Sequence, residues 1–194
     1  MTTTNATVLE LMEAHHASLV DGAQTRIDAL AAAVRGPGTH AEAAADLITY
    51  LAGEVLPHAE AEEHSVYRAA SSRADLAPTI VTLEDEHRRL AAAIEQLARA
   101  REGNAMASAA AAVGELFVSH VARENECVLA PLASDPGVDL GELLREMQHF
   151  LSTAAPTAST AGDRASGETA ALVSLLLEAA RALAEEGRTT RRAV

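Results

Sequence analysis

The chain of 194 residues carries 28 acidic against 15 basic side chains, a net charge of −13. That balance argues against nucleic acid and against an anionic membrane as the main partner. Alanine fills 45 positions, aromatics are 2%, and every cation is arginine, a composition that favours helix and excludes a β-sandwich or barrel.

The first expected helix covers 6–35. Its opening, MTTTNATVLELMEAHH, lacks a basic stretch followed by a long apolar run, so no signal peptide is expected. Its apolar seam reads Leu9, Met12, His16, Leu19, Ala23, Ile27, Leu30. From His15 the same spacing runs to Ser18 and Gly22, poor core residues, so the seam favours His16 over its neighbour. After Gly36-Pro37-Gly38 a second helix is expected over 40–70, with Thr39 as N-cap and the seam Ile48, Leu51, Val55, His58, Glu62, Val66, Ala69. Pro57 inside this helix frees the Gly53 carbonyl; the kink either aims His58 or is merely tolerated. Tyr67, five residues after Glu62, falls off that face by helical phase. The third helix, 76–101, has the seam Ile80, Leu83, His87, Leu90, Ile94, Leu97. The fourth, 105–133, has Asn104 as expected N-cap and the seam Val113, Leu116, His120, Glu124, Cys127 or Val128, Pro131. Cys127 is the only cysteine, which excludes an internal disulfide framework and a multi-cysteine zinc site; it reads as a small core hydrophobe. A shorter helix follows over 140–151. Ser152–Gly167 reads as a flexible linker, and 168–186 as a last helix before a basic tail of Arg188, Arg191 and Arg192. No stretch of about 18 uncharged apolar residues is seen, so no transmembrane helix is expected, and the cytoplasm is the expected compartment. The short breaks make neighbouring helices antiparallel. The expected architecture is therefore all-α, an up-down-up-down four-helix bundle with extra C-terminal helices, over domains 1–151, 152–167 and 168–194.

Each of the four bundle helices places a histidine where an aliphatic residue belongs, and two add glutamate four residues later, on the same face. Two carboxylates and four imidazoles in one core cost several kcal/mol per uncompensated charge. A shared cation removes that cost. Nitrogen and oxygen ligation without thiolate points to iron, with manganese or zinc as alternatives, and inward Glu and His from facing helices are how such bundles build dinuclear sites. Glu84, one turn before His87, is the best candidate for a spare carboxylate. Glu63, Glu126, His40, His64 and His149 are expected at solvent or the bundle rim. The small alanine side chains suggest that solvent reaches this core easily.

The phrases LMEAHHASL, LPHAEAEEHSVY, EDEHRRL and SHVARENECVLAPL resemble the four helical motifs of the hemerythrin-like, or HHE cation-binding, domain, over about residues 6–133. The resemblance implies a non-haem diiron centre held by His16, His58, Glu62, His87, His120 and Glu124, with both glutamates as candidate bridges. Oxygen-carrying hemerythrins have His-x-x-x-His in the third helix, where this chain has Leu83, and an Asp five after the fourth-helix His, where it has Asn125. The family often has Pro where this chain has Arg68. The pattern is similar to the wider family linked to iron or oxygen sensing, peroxide breakdown and nitric-oxide responses. It implies O2, peroxide or NO as small ligands, no reversible O2 carriage, and catalase-like peroxide breakdown as an enzymatic expectation. The alternative is an iron- or gas-binding sensor without turnover. The last helix has an apolar stripe that either docks on the bundle or pairs two chains as a homodimer.

Overall fold

The structure is a computed structural model that describes residues 4–36, 39–153 and 164–192. Every regular element among them is helical. Helix α1 spans Asn5–Arg35, its first turn capped by Thr4, whose hydroxyl accepts the Thr7 N–H. Helix α2 joins three α-helical stretches, Ala41–Tyr50, Leu56–Glu62 and Arg68–Ser71, through π-helical turns at Leu51–Val55 and Glu63–Tyr67. Helix α3 spans Ala77–Arg99. Helix α4 runs from Gly103 to Ala133, with a π-helical turn at Asn125–Leu129. Helices α5, Leu140–Thr153, and α6, Arg164–Arg192, complete the chain.

The first four helices form the expected bundle. Helix α3 buries its whole expected seam, from Ile80 to Leu97. Helix α1 buries Met12, His16, Leu19, Ala23, Ile27 and Leu30, with Val8 rather than Leu9 at its start. Close approach of α1 and α2 needs Gly22: a Cβ there would overlap the Tyr50 hydroxyl, which donates to the Leu19 carbonyl at 3.1 Å. Arg73 closes one end of the bundle, pairing with Asp75 at 2.7 Å and reaching Asp135, beyond α4, at 2.9 Å.

Several local expectations are corrected. Pro57 does not leave a simple kink, and Pro131 shares its setting. Each sits just after a π-helical turn, where the N–H of Leu56 reaches the Leu51 carbonyl and that of Ala130 reaches the Asn125 carbonyl. Widening the turn by one residue re-pairs the backbone around a residue that cannot donate. The extra residue also advances the phase, so Ala70 and Leu132 are buried where Ala69 and Pro131 were expected. On α4, Phe117 takes the core and Leu116 faces solvent. Asn104 is not an N-cap, since α4 already begins at Gly103. Nor is Thr39 the N-cap of α2, which is His40; Thr39 stands one residue earlier and accepts the Ala41 N–H at 3.3 Å.

By length and composition α4 meets the requirement for crossing a membrane, which the expectation of no such helix did not anticipate. Here its inner face carries His120 and Glu124 into the bundle. Ser152 and Thr153 finish α5, and 154–163 of the expected linker lie outside the described residues. Helix α5 lies across the α1 and α2 end of the bundle; Asn5 fixes its start, donating to the Val138 carbonyl at 2.8 Å and accepting the Leu140 N–H at 3.1 Å. Helix α6 starts at Arg164 and continues through the expected basic tail to Arg192. Its stripe of Leu176, Ala180 and Leu183 is buried, chiefly against α2.

If α6 stabilises the domain from this position, Leu176→Ala and Leu183→Ala should each lower unfolding free energy by about 2–3 kcal/mol in urea titrations. Unchanged midpoints would contradict the packing of α6 on α2.

Candidate metal centre

The π-helical turns matter most where they adjoin the polar core. Glu62 is the last residue before one and Glu124 the last before another. Both turns follow directly on the His-x-x-x-Glu pairs, and π-turns of this kind recur at functional sites. After Glu62 the widened turn leaves the Ala61 carbonyl for the Ser65 hydroxyl, which donates to it at 2.7 Å. The same turn rotates Tyr67 inward. Tyr67 is 1% exposed and stacks on His87, rings nearly parallel at 5.3 Å. It therefore belongs to the site, contrary to its expected phase.

All six residues singled out from the sequence meet in the bundle core, each at most 6% exposed. His16 Nε2 and His58 Nε2 each lie 2.9 Å from Glu62 Oε1. On the other side His87 Nε2 and His120 Nε2 face each other at 3.0 Å, with Glu62 Oε2 3.8 Å from His87. Glu124 Oε2 lies between the two groups, 3.7 Å from His16 and 3.9 Å from His120. Two three-donor clusters result, His16–His58–Glu62 and Glu62–His87–His120, and Glu62 is common to both. His15 is exposed and sets its ring edgewise against His58, so the structure places His16, not His15, in the site.

Three imidazoles have a partner on their outer nitrogen. His16 Nδ1 donates to Asn125 Oδ1 at 2.7 Å, His87 Nδ1 to Glu63 Oε1 at 2.8 Å, and His120 Nδ1 to Glu86 Oε2 at 3.2 Å. Glu86 in turn pairs with Arg123. The expectation for Glu63 is corrected: it is half-buried and holds His87. The spare carboxylates are Glu63 and Glu86 rather than Glu84. Both act across a helix interface, α2 to α3 and α3 to α4, which periodicity within one helix does not register. The phrases EDEH and EAEEH carry the only hint, a carboxylate beside each ligand position. Glu126 and His149 are exposed as expected. His40 and His64 are partly covered, His64 stacking on Phe150 at 4.3 Å, and Cys127 is a half-buried free thiol.

Electrostatics separate the six. Burial alone would lower the His16 pKa, but the Glu62 carboxylate that it contacts raises it to about 9. Burial opposes ionisation of Glu62 too, yet the facing His58 and His16 hold it well below the usual carboxylate range. Burial, then the charge of Glu62, pushes Glu124 well up. Burial, then His87, pushes His120 down to about 3. Without an ion, His16 and Glu62 form a charge pair beside Glu124 and His120, both of which are shifted toward their neutral forms. Among the described residues neither Glu124 oxygen nor the Tyr67 hydroxyl has a partner in good hydrogen-bond geometry, although the two side chains are close enough to act on each other. Burial and the Glu124 charge push that phenol far above its ordinary range.

The model of the hemerythrin HHE cation-binding domain matches residues 7–132. The chain belongs to this family. No curated protein and no solved structure matches the chain. The donor set fits the metal ions that the family implies. Orphaned carboxylate oxygens on Glu124 and a 3.0 Å separation of two imidazole nitrogens are both accounted for by an ion: two nitrogens each about 2.1 Å from one ion, at right angles, lie roughly 3 Å apart. An ion also replaces the proton on His16, as ligand imidazoles must be free at the bound nitrogen. The space between the ligands is small, while wider cavities reach His16 and His58 on one side and His87 on the other. Val55, Leu90, Phe117 and Val121, with Ala59, line the space between the ligands, which is only about 10 Å³.

Loss of metal should therefore follow position. Glu62→Ala and Glu124→Ala should lose it most, Glu63→Ala and Glu86→Ala should weaken it about 10–100-fold, and Glu126→Ala should leave it unchanged. Metal analysis of the five variants after identical dialysis checks this order; equal loss across all five would contradict it.

Proposed function

We propose that this hemerythrin-like protein is a non-haem diiron protein that handles or senses peroxide, O2 or NO, and that it is not a reversible O2 carrier. The observation that carries the reading is the pair of three-donor clusters sharing Glu62. His16 and His58 would hold one ion and His87 and His120 the other. Glu62 would bridge them, and Glu124, within 4 Å of both sides, would be the second bridge. Iron is favoured over manganese or zinc by the hemerythrin family to which the chain belongs, and the imidazole–carboxylate donors suit it. Bound iron supplies redox chemistry toward small oxygen and nitrogen ligands.

The chain's own residues shape that chemistry. Each ion would receive two imidazoles and shared carboxylates, which leaves coordination positions open at both. Leu83 is fully buried in an apolar cluster with Val66 and Tyr67, so the residue in place of the carriers' histidine supplies no ligand. Tyr67 keeps its proton because burial and neighbouring carboxylates disfavour the phenolate, and its hydroxyl is a hydrogen-bond donor beside Glu124. Apolar side chains of Val55, Leu90, Phe117 and Val121 line the space between the ligands.

Carriage requires one saturated iron and one open position, so that O2 leaves as it came. Here the reduced protein should convert to a diferric form on adding O2, with no oxy spectrum that reverts on deoxygenation, and should turn over peroxide measurably. An oxy spectrum stable and reversible over repeated cycles would overturn the reading; tight ligand binding with no peroxide turnover would favour the sensor alternative.

A further inference from the structure

The two halves of the metal centre differ in what stands behind them. His87 and His120 each give Nδ1 to a carboxylate, Glu63 at 2.8 Å and Glu86 at 3.2 Å. An ionised carboxylate only accepts, so each of these rings keeps a proton on Nδ1, and its lone pair is left for Nε2. The two Nε2 atoms face each other at 3.0 Å, an approach that is favourable only around a cation or a shared proton.

His16 and His58 have less behind them. His16 Nδ1 meets the neutral amide oxygen of Asn125 at 2.7 Å. His58 is 5% exposed, and its Nδ1 has no hydrogen-bond partner among the described residues. The His15 ring stands edgewise to it at 4.8 Å without a hydrogen bond between them. Hydrogen bonds to an ionised acceptor are about twice as strong as those to a neutral one, and loss of an outer partner typically costs about 10–100-fold in metal affinity.

The surrounding charge has the same polarity. The cavity against His87, about 360 Å³, is lined by Glu60, Glu63, Glu84 and Glu168, with Arg88 as the one cation in that lining. The cavity against His16 and His58, about 300 Å³, has no Asp, Glu, Lys or Arg in its lining. Arg123 offsets Glu86, and the excess of carboxylates stays on the His87 side, where it favours a cation. The inner carboxylates serve both halves. Glu62 turns Oε1 to His16 and His58 at 2.9 Å and Oε2 to His87 at 3.8 Å, one oxygen for each pair. Glu124 lies 3.7 Å from His16 and 3.9 Å from His120.

We propose that the two metal positions are unequal: the His87–His120 position fills first and tightly, and the His16–His58 position fills second and holds its ion more weakly. Glu63 and Glu86 are the positioning residues that set the first apart. The number of ions rests on the diiron reading; their order rests on the outer hydrogen bonds.

Anaerobic calorimetric titration of the metal-free full chain with Fe(II) reads that order. The wild type should bind two ions in two steps at least tenfold apart in affinity. Glu63→Gln, which keeps an acceptor at His87 and removes its charge, should weaken the tight step about tenfold and narrow the gap. Asn125→Ala should weaken the weak step alone. His58→Ala should keep one tight ion, and His87→Ala should lose the tight step. Two ions bound with equal affinity would overturn the proposal and leave the diiron reading intact. A single ion, kept in His58→Ala and lost in His87→Ala, would count against the diiron reading and still support the tighter position. Equal weakening of both steps by Glu63→Gln, or a tight ion lost in His58→Ala and kept in His87→Ala, would overturn the proposal; a chain that binds no Fe(II) would overturn both. If either histidine variant does not fold, Glu63→Gln and Asn125→Ala still decide it.

Discussion

Two carboxylates and four imidazoles share one dry core, and the rest of the molecule is arranged around their charge. Glu62 and Glu124 cannot both be ionised side by side without compensation, and in the absence of an ion the pair splits: Glu62 stays anionic against His16, and Glu124 is driven toward its neutral form. Such a core is costly as a purely structural device, since well-packed aliphatic residues serve a bundle as well or better. The proposed ions, which would use both carboxylates at once, would remove that cost. The outer partners point the same way. Asn125, Glu63 and Glu86 fix three rings by their outer nitrogens, which leaves the inner nitrogens free to converge.

Backbone geometry serves the same centre. A regular α-helix after Glu62 would carry Tyr67 out of the core; the π-turn at Glu63–Tyr67 brings it under His87. The turns before Pro57 and Pro131 use a residue without an N–H at places where the ladder is already re-paired. Helix α2 thus changes phase twice and α4 once, and both do so next to the His-x-x-x-Glu pairs. Seen this way, the prolines set the path of the ligand-bearing helices and do not merely interrupt them.

This is also why the sequence was legible in some places and not in others. Helix α3 has no π-turn, and its seam from Ile80 to Leu97 is buried as its spacing implies. The six polar seam residues were legible because each lies within an unbroken stretch of its own helix, His58 with Glu62 and His120 with Glu124. Residues within or past the turns at Glu63–Tyr67 and Asn125–Leu129 were misplaced, Ala69 for Ala70, Pro131 for Leu132, and Tyr67 altogether, while Leu9 for Val8 and Leu116 for Phe117 are one-residue slips inside regular helix. Glu63 and Glu86 were missed for another reason, since their contacts cross from one helix to the next and depend on rotation of the helices about their axes. Hydrophobic period fixes which face points inward, not what lies opposite a rim residue.

The account stands on the claim that both clusters are filled. Counting iron per folded chain, by metal analysis after iron-supplemented expression and desalting, tests it most directly. The account predicts close to two irons per wild-type chain and loss of both in Glu62→Ala, because Glu62 belongs to both clusters. A wild-type chain that holds no iron, or a Glu62→Ala chain that still holds two, would contradict it.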